Sequence, residues 1–482
     1  MADPITFGTD GWRAIIADSF TFDNVERVAY AIGLYVKETY KDQAKIPPML
    51  VGYDTRFLAD KFAKRAAEVL LSMGVPAKLS VRDIPTPGIA YAVTLEPTCG
   101  AIQVTASHNP PEYCGIKYIP DYAGPATNVI TNKIVAHLES FPEGFVVATH
   151  EVPTFDARAS YIKNIGKLVN LDKIGKSGLK IAYDALYSTS RGYLDDILKG
   201  TGVTLEVLHN WRDPLFGGGM PEPKGEYLTD LKNTVVGKKF DVGLATDGDA
   251  DRFGVIDEKG NYFTPNQLLC LLTRHLVKNR GIKGAIVRTV ATTHLLDHLA
   301  KKFGLDVRET PVGFKYVGEL MRDGDVLIGG EESGGVSIKG HIPEKDGILA
   351  NMLLVECLAY EGKPLSVLWN ELQDELGVHF FGRRGDLHLN KRTQKGLMDK
   401  LTNDPFATIG DEKVRNIGRS DGLKFYFDDD NWLLVRSSGT EPLIRLYFEG
   451  TNEARVDKIV KAFNKQVEEV LEGLEKATTL AR

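Results

Sequence analysis

At 482 residues the chain exceeds the size at which one hydrophobic core keeps growing, so roughly three or four domains of about 100–150 residues are expected. Hydrophobic residues make up 43% and charged residues 26%, an ordinary globular balance, and no apolar run approaches the roughly 20 residues that span a bilayer; a soluble protein without a membrane partner is expected. The net charge of −6 comes with no basic tract, which argues against nucleic acid as the main partner, so an anionic small substrate must be met by locally placed Lys and Arg.

In chain order, Met1–Phe7 has neither the basic leader nor the apolar core of a secretion signal. Cys99, Cys114, Cys270 and Cys357 lack the spacing of a metal site or disulfide framework, so reduced thiols in the cytoplasm are expected. Met49–Asp54 is an apolar strand followed by a helical pattern through Phe62, Ala66, Val69 and Leu70 that stops at Gly74-Val75. Leu179–Asp184 repeats this, with a helix closing at Gly202-Val203. Ala285–Thr289 repeats it again, through Leu295 and Leu299 to Gly304-Leu305. Beyond Leu376 come strand-like Leu423–Phe427, Trp432–Arg436 and Ile444–Glu449, then a helix from Asn452 to Glu475. The fold class is α/β: three related mixed α/β domains over 1–153, 154–259 and 260–376, and a smaller C-terminal α+β domain over 377–482.

Four short segments have the composition of phosphate- or metal-handling loops. Thr105–Pro110 (TASHNP) puts the hydroxyl of Ser107 on a turn after the strand-like Gly100–Val104, where ligands of α/β sheets gather; a plain turn is the competing reading, since these residues favour turns. His108 is a candidate acid or base, with no spaced acidic partner to make a hydrolase triad. Asp247–Arg252 (DGDADR) places Asp247, Asp249 and Asp251 at alternate positions between two strands, a set suited to a hard divalent cation. Glu258 stands twelfth, as in an EF-hand loop, but Arg252 occupies the sixth place where that loop needs glycine, and both flanks read as strand. Gly330–Gly335 (GEESGG) offers Glu331 and Ser333 to sugar hydroxyls, or is a glycine-rich turn. Arg436–Pro442 (RSSGTEP) joins a guanidinium to Ser438, Gly439 and Thr440, a nest suited to a phosphate dianion. His294 and His298, four apart, have no third ligand beside them and read as surface or packing residues. Together the four segments describe phosphoryl transfer.

With FGTDGWR at Phe7–Arg13 ahead of them, and in this order, these segments resemble the α-D-phosphohexomutase family over nearly the whole length. The resemblance implies four domains around a central cleft, and a phosphoserine enzyme that passes through a hexose 1,6-bisphosphate. It implies Ser107 as the phosphoserine; Asp247, Asp249, Asp251 and a Ser107 phosphate oxygen as the Mg²⁺ ligands; Arg252 and Arg13 beside the phosphoserine; and Lys117 with His108 for acid/base duty. Glu331 and Ser333 would bind the sugar, with Lys315 and Lys345 as sugar or phosphate contacts. Arg436, Ser438, Gly439 and Thr440 would anchor the non-reacting phosphate. Cys114 stands where many relatives have asparagine. Glutamate in the third place of GEES is more like phosphoglucomutases than glucosamine-phosphate mutases. The reading is therefore a glucose phosphate substrate first and mannose phosphate second, with Mg²⁺ and glucose 1,6-bisphosphate as cofactors and a monomer or weak homo-oligomer. A sugar phosphatase and a non-catalytic sugar-phosphate or Ca²⁺-binding protein are the alternatives.

Overall fold

Residues 5–8, 10–438 and 443–480 are described by the computed structural model, with side chains described as far as Leu474. They fall into two units, Met1–Ile286 with Gly313–Trp369 and Val287–Val312 with Asn370–Arg482. Among the described residues no helix is long and apolar enough to cross a membrane.

In the first unit, Met49–Tyr53 is an interior strand of a mixed seven-stranded sheet. Ala101–Val104 and Ala77–Ser80 flank it in parallel, and Tyr113–Ile119 and Gly11–Ile15 continue the sheet antiparallel. The strand is buried on both faces, so it reads as a continuous apolar run. Met49 and Val51 share a core with helices Phe22–Thr39 and Ala59–Ser72, while Leu50 joins Ile84, Ile89 and Ile342 in another. That split is the period-two alternation of a strand. A second, five-stranded sheet sets Lys180–Asp184 parallel to both Thr204–Leu208 and Val242–Thr246. Val242–Thr246 then turns back antiparallel onto Phe253–Asp257, the hairpin expected around the acidic loop.

Two short strands lie just beyond expected boundaries. Thr154–Phe155 adds in parallel to the edge of the first sheet through Leu79 and Ser80, so that layer runs past Pro153. Tyr262–Phe263 returns onto Phe253–Asp257 after the turn at Gly260 (φ +84°), so the second sheet runs past Gly260. In both places the backbone groups of an edge strand are satisfied by two further residues.

In the third α/β segment, Val326–Gly330 pairs antiparallel with Val336–Ile338. Helix Gly347–Glu361 follows, its start capped by the Asp346 side chain accepting from Leu349 N at 2.8 Å. It is apolar nearly all round and buried from Gly347 to Ala359. Its first residue lies directly on the acidic loop. Gly347 N donates to Ala250 O at 3.0 Å, and a Cβ at Gly347 would come within 2.2 Å of Arg252 O.

The second unit holds an antiparallel five-stranded sheet built from Phe381–His388, Leu443–Gly450, Trp432–Ser437, Leu423–Tyr426 and Asn416–Gly418. Phe425, Leu433 and Val435 on one face share a core with Leu397, Leu401 and Phe463 of helices Lys391–Asn403 and Glu453–Leu480. Trp432, Leu434 and Tyr447, from alternate positions, meet Val290 and Ala291. Both belong to 287–312, a segment of the expected third domain that lies in this unit.

Gly347→Ala is expected to lower the thermal midpoint, on the scale of about 1–3 kcal/mol for an overpacked buried site. Differential scanning calorimetry reads it. An unchanged midpoint would show that the helix start yields freely and does not brace the loop.

Candidate active site

The turn after Ala101–Val104 places Ser107 in a left-handed conformation, φ +52°, and buries it to 1% exposure. Its Oγ donates to Asp247 Oδ2 at 2.9 Å and lies 3.4 Å from His108 Nδ1. The two loops touch through glycine: a Cβ at Gly248 would sit 2.5 Å from Ser107 O. The serine expected as nucleophile and the first carboxylate of the acidic loop, 140 residues apart in sequence, thus meet directly.

Asp247, Asp249 and Asp251 are all buried, and one ligand oxygen from each lies within 4.8 Å of the others. Thr86 Oγ1 donates to Asp249 Oδ2 at 2.6 Å, and Lys117 Nζ donates to Asp249 Oδ2 at 2.8 Å and to Asp251 Oδ2 at 3.0 Å. Asp249 Oδ1 and Asp251 Oδ1 are buried without a hydrogen-bond partner among the described residues. Such oxygens are costly to bury, and a hard divalent cation is the partner that suits them; the trio fits Mg²⁺. Burial, then the Asp251 and Asp249 carboxylates, push Asp247 well above the usual carboxylate range against the pull of Arg252. Burial would raise Asp251 as well, but Lys117, Lys345 and Arg252 outweigh it and hold Asp251 low. The EF-hand alternative fails on geometry. The loop joins two strands, and the Glu258 carboxylate accepts from Ser366, away from the trio.

Lys117 lies on Tyr113–Ile119 opposite Gln103 and also pairs with Asp10 Oδ2 at 2.8 Å. Burial would lower its pKa, but Asp10, Asp249 and Asp251 together raise it well above the ordinary lysine value. Burial, then Arg252 and Arg13, pull His108 well below the ordinary histidine value, so its ring is neutral. Arg13 Nη1 donates to Asn109 Oδ1 at 2.6 Å. Arg252 Nε is 3.9 Å from Asp251 Oδ1, and its backbone bridges to Gly335 of the glycine-rich turn. Lys345, expected as a sugar or phosphate contact, pairs with Glu344 at 2.8 Å and Asp251 at 3.3 Å, among the loop carboxylates.

Glu331 Oε1 accepts from Gly313 N at 2.9 Å, and burial with Glu332 beside it pushes its pKa up to about 7. Ser333 lies on the same turn, half-buried. Lys315 Nζ donates to Asn128 Oδ1 at 2.6 Å. Cys114 is fully buried in the first sheet's core opposite Ala14, and so fills core volume where a polar loop contact was in question. In the second unit, Arg436 Nε donates to Asp421 Oδ2 at 2.7 Å, and Ser438 N donates to Leu443 O at 2.9 Å. Gly439 and Thr440 lie outside the described residues. His294 and His298 do not share a helical face: His294 precedes helix Leu295–Phe303 and accepts from Lys424, while His298 pairs with Asp430.

Three residues of the first-unit site escape sequence reading. Asp10, bridging Lys117 and Lys345, was within FGTDGWR, and Glu344 was next to Lys345. Thr86 carries no local signal, because its partner Asp249 is 163 residues away. The site gathers six carboxylates, from Asp10, Asp247, Asp249, Asp251, Glu331 and Glu344, against the four cations Arg13, Lys117, Arg252 and Lys345. The two buried oxygens of this set without a hydrogen-bond partner among the described residues, on Asp249 and Asp251, favour a bound divalent cation.

Asp249→Asn is expected to weaken Mg²⁺ binding by about tenfold or more, while the thermal midpoint holds or rises because one buried like charge is gone. Competition against Mn²⁺ followed by electron paramagnetic resonance measures it. Unchanged affinity would remove the cation from this loop.

Four segments match the phosphoglucomutase/phosphomannomutase family: its alpha/beta/alpha domain I at 4–143, domain II at 159–260, domain III at 264–376 and its C-terminal domain at 393–466. A phosphoglucomutase/phosphomannomutase of Thermococcus kodakarensis is 31% identical, over 97% of this chain and 99% of its own. A phosphoglucosamine mutase of Clostridium botulinum is 29% identical, over 96% and 98%. A crystal structure described as that of a phosphomannomutase from Thermus thermophilus superposes with a TM-score of 0.86 at 32% identity, covering 97% of this chain and all of that one.

Proposed function

The chain belongs to the phosphoglucomutase/phosphomannomutase family, and on that premise we propose that it interconverts glucose 1-phosphate and glucose 6-phosphate, with mannose phosphates as second substrates. The observation that carries this is the Ser107 hydroxyl bonded to Asp247 in a trio whose other two members keep a buried oxygen without a hydrogen-bond partner among the described residues. A passive binding protein needs no such alignment of nucleophile and cation site; a phosphatase uses the same parts and is disfavoured by the family to which the chain belongs.

In this reading Ser107 carries the phosphoryl group and gives it to the free hydroxyl of the hexose monophosphate, forming the 1,6-bisphosphate. Once the intermediate has turned over, Ser107 takes the other phosphoryl group back. Asp247, Asp249 and Asp251, with a phosphate oxygen on Ser107, would hold Mg²⁺, which when bound neutralises charge on the transferring group. Arg13 and Arg252 steady the phosphoserine. Lys117, kept charged by three carboxylates, is the proton donor as the serine leaves, and the neutral His108 ring accepts from the attacking hydroxyl. Lys345 joins Lys117 in balancing the loop. Glu331, near neutrality at pH 7, bonds sugar hydroxyls as donor or acceptor together with Ser333, with Lys315 as a further sugar or phosphate contact. Arg436, Ser438, Gly439 and Thr440 bind the phosphate that is not reacting.

Glucose leads because GEES carries glutamate in its third place, and relatives are named for glucose, mannose and glucosamine phosphates. With Mg²⁺ and a trace of glucose 1,6-bisphosphate, kcat/KM should be highest for glucose 1-phosphate, next for mannose 1-phosphate and lowest for glucosamine 1-phosphate. A reversed order would overturn the substrate assignment. Intact mass should show a phosphate that Ser107→Ala lacks, and that variant should lose turnover by on the order of a thousandfold or more. Full turnover without the hydroxyl would end the phosphoserine reading.

Arg436→Lys keeps the charge but loses the fork for a dianion. It is expected to raise KM for glucose 1-phosphate about tenfold while Ser107 is still phosphorylated by the bisphosphate. Equal KM in variant and wild type would move the phosphate anchor elsewhere.

A further inference from the structure

We infer that Arg56 is the positioning residue of the nucleophile loop, fixing the aim of Ser107; the inference rests on the phosphoserine reading above. Arg56 follows strand Met49–Tyr53, whose end pairs with the end of Ala101–Val104, so the Arg56 side chain starts beside the root of the Ser107 turn. It is fully buried, and all five of its N–H donors are used. Nε donates to Asp54 Oδ2 at 3.1 Å. Nη1 donates to Pro110 O at 2.7 Å and Tyr113 O at 2.9 Å, and Nη2 to Ser107 O and Asn109 O, both at 2.7 Å. The Phe216 ring covers the guanidinium, its centroid 5.1 Å from Cζ.

Four carbonyls converging on one point repel unless a cation stands there, and only a planar fork reaches all four. The other side of the Ser107 peptide is held by the same group. Ser107 N donates to Thr105 Oγ1 at 2.8 Å, and Thr105 Oγ1 donates to Asp54 Oδ2 at 2.6 Å. The N–H of Ser107 therefore reaches the Asp54 carboxylate through Thr105, and its C=O reaches the same carboxylate through Arg56. A non-glycine residue at φ +52° is strained and persists where its surroundings over-determine it. Arg56 does not touch the Oγ; it sets where the Oγ points. None of its five hydrogen bonds goes to the acidic trio or to Glu331, Ser333 or Lys315, so its loss should act on the transfer step more than on substrate or metal binding.

The test compares wild type, Arg56→Lys and Thr105→Val. For Arg56→Lys the expected result is a kcat lower by about a hundredfold, the scale of a misplaced reacting group. KM for glucose 1-phosphate and Mg²⁺ affinity should stay within about twofold, and amide exchange across 106–113 should be faster. Thr105→Val should show the same signature at about tenfold, and carries the test alone if Arg56→Lys does not fold. Loss of kcat with unchanged loop exchange, or faster exchange with full kcat, overturns the assignment. So does a parallel rise in KM, which marks a general structural defect. If wild type shows no mutase turnover, the functional reading fails instead, and the exchange arm still decides whether Arg56 holds the loop.

Discussion

Three carboxylates buried on one turn repel each other, and the first unit is arranged around that repulsion. Lys117 and Lys345 approach Asp251 from two separate segments, and Asp10 joins the two lysines. The result is an alternating web in which burial and attraction compete residue by residue. Asp251 is held low because Lys117 and Lys345 pair with it, and Asp247 is driven high by burial and by the charges of Asp251 and Asp249. Asp249 Oδ1 and Asp251 Oδ1 keep no hydrogen-bond partner among the described residues, and the Ser107 hydroxyl bonds the third carboxylate, Asp247. Buried oxygens without partners, in a trio bonded to that hydroxyl, are what a divalent cation would satisfy.

The close approach of loops that makes this possible depends on missing side-chain atoms. Gly248 lets the acidic turn rest on Ser107 O, Gly347 lets a buried helix begin against Arg252 O, and Gly115 lies where a Cβ would meet Thr105 O at 2.6 Å. Each contact is backbone against backbone, so neither neighbour can swing away as a flexible side chain would. Placement at this scale is set by rigid elements, and the strained φ of Ser107 is sustained by Arg56 and Thr105 on either side of its peptide.

The second unit solves a different burial problem. Lys424 is buried over the Trp432 ring, donating to Val290 O and His294 Nε2, and its pKa falls to about 7 by burial and the nearby Arg288. His294, pulled down to about 2 by burial and Lys424, is a neutral acceptor. The segment 287–312 is thus joined to the sheet of this unit by polar contacts as well as by Val290 and Ala291.

The elements and the loop chemistry were legible in the residues alone. Apolar runs such as Met49–Tyr53, punctuated by glycine at helix ends, leave few alternatives locally, and DGDADR between two strands reads as a cation loop because hydrogen-bonding and charge are properties of the residues themselves. Thr86, Asp10 and Glu344 were not legible there, nor the place of Lys345 among the loop carboxylates, nor the further strands Thr154–Phe155 and Tyr262–Phe263. Each of these depends on a partner far away in the chain or on the free edge of a sheet. Arg56 shows the division most plainly. In sequence it is one arginine after a strand; only the parallel pairing of that strand with Ala101–Val104 puts its five donors under four carbonyls of another loop. Local composition fixes what a side chain can bond, and tertiary structure decides which groups, brought together and shielded from water, it must bond.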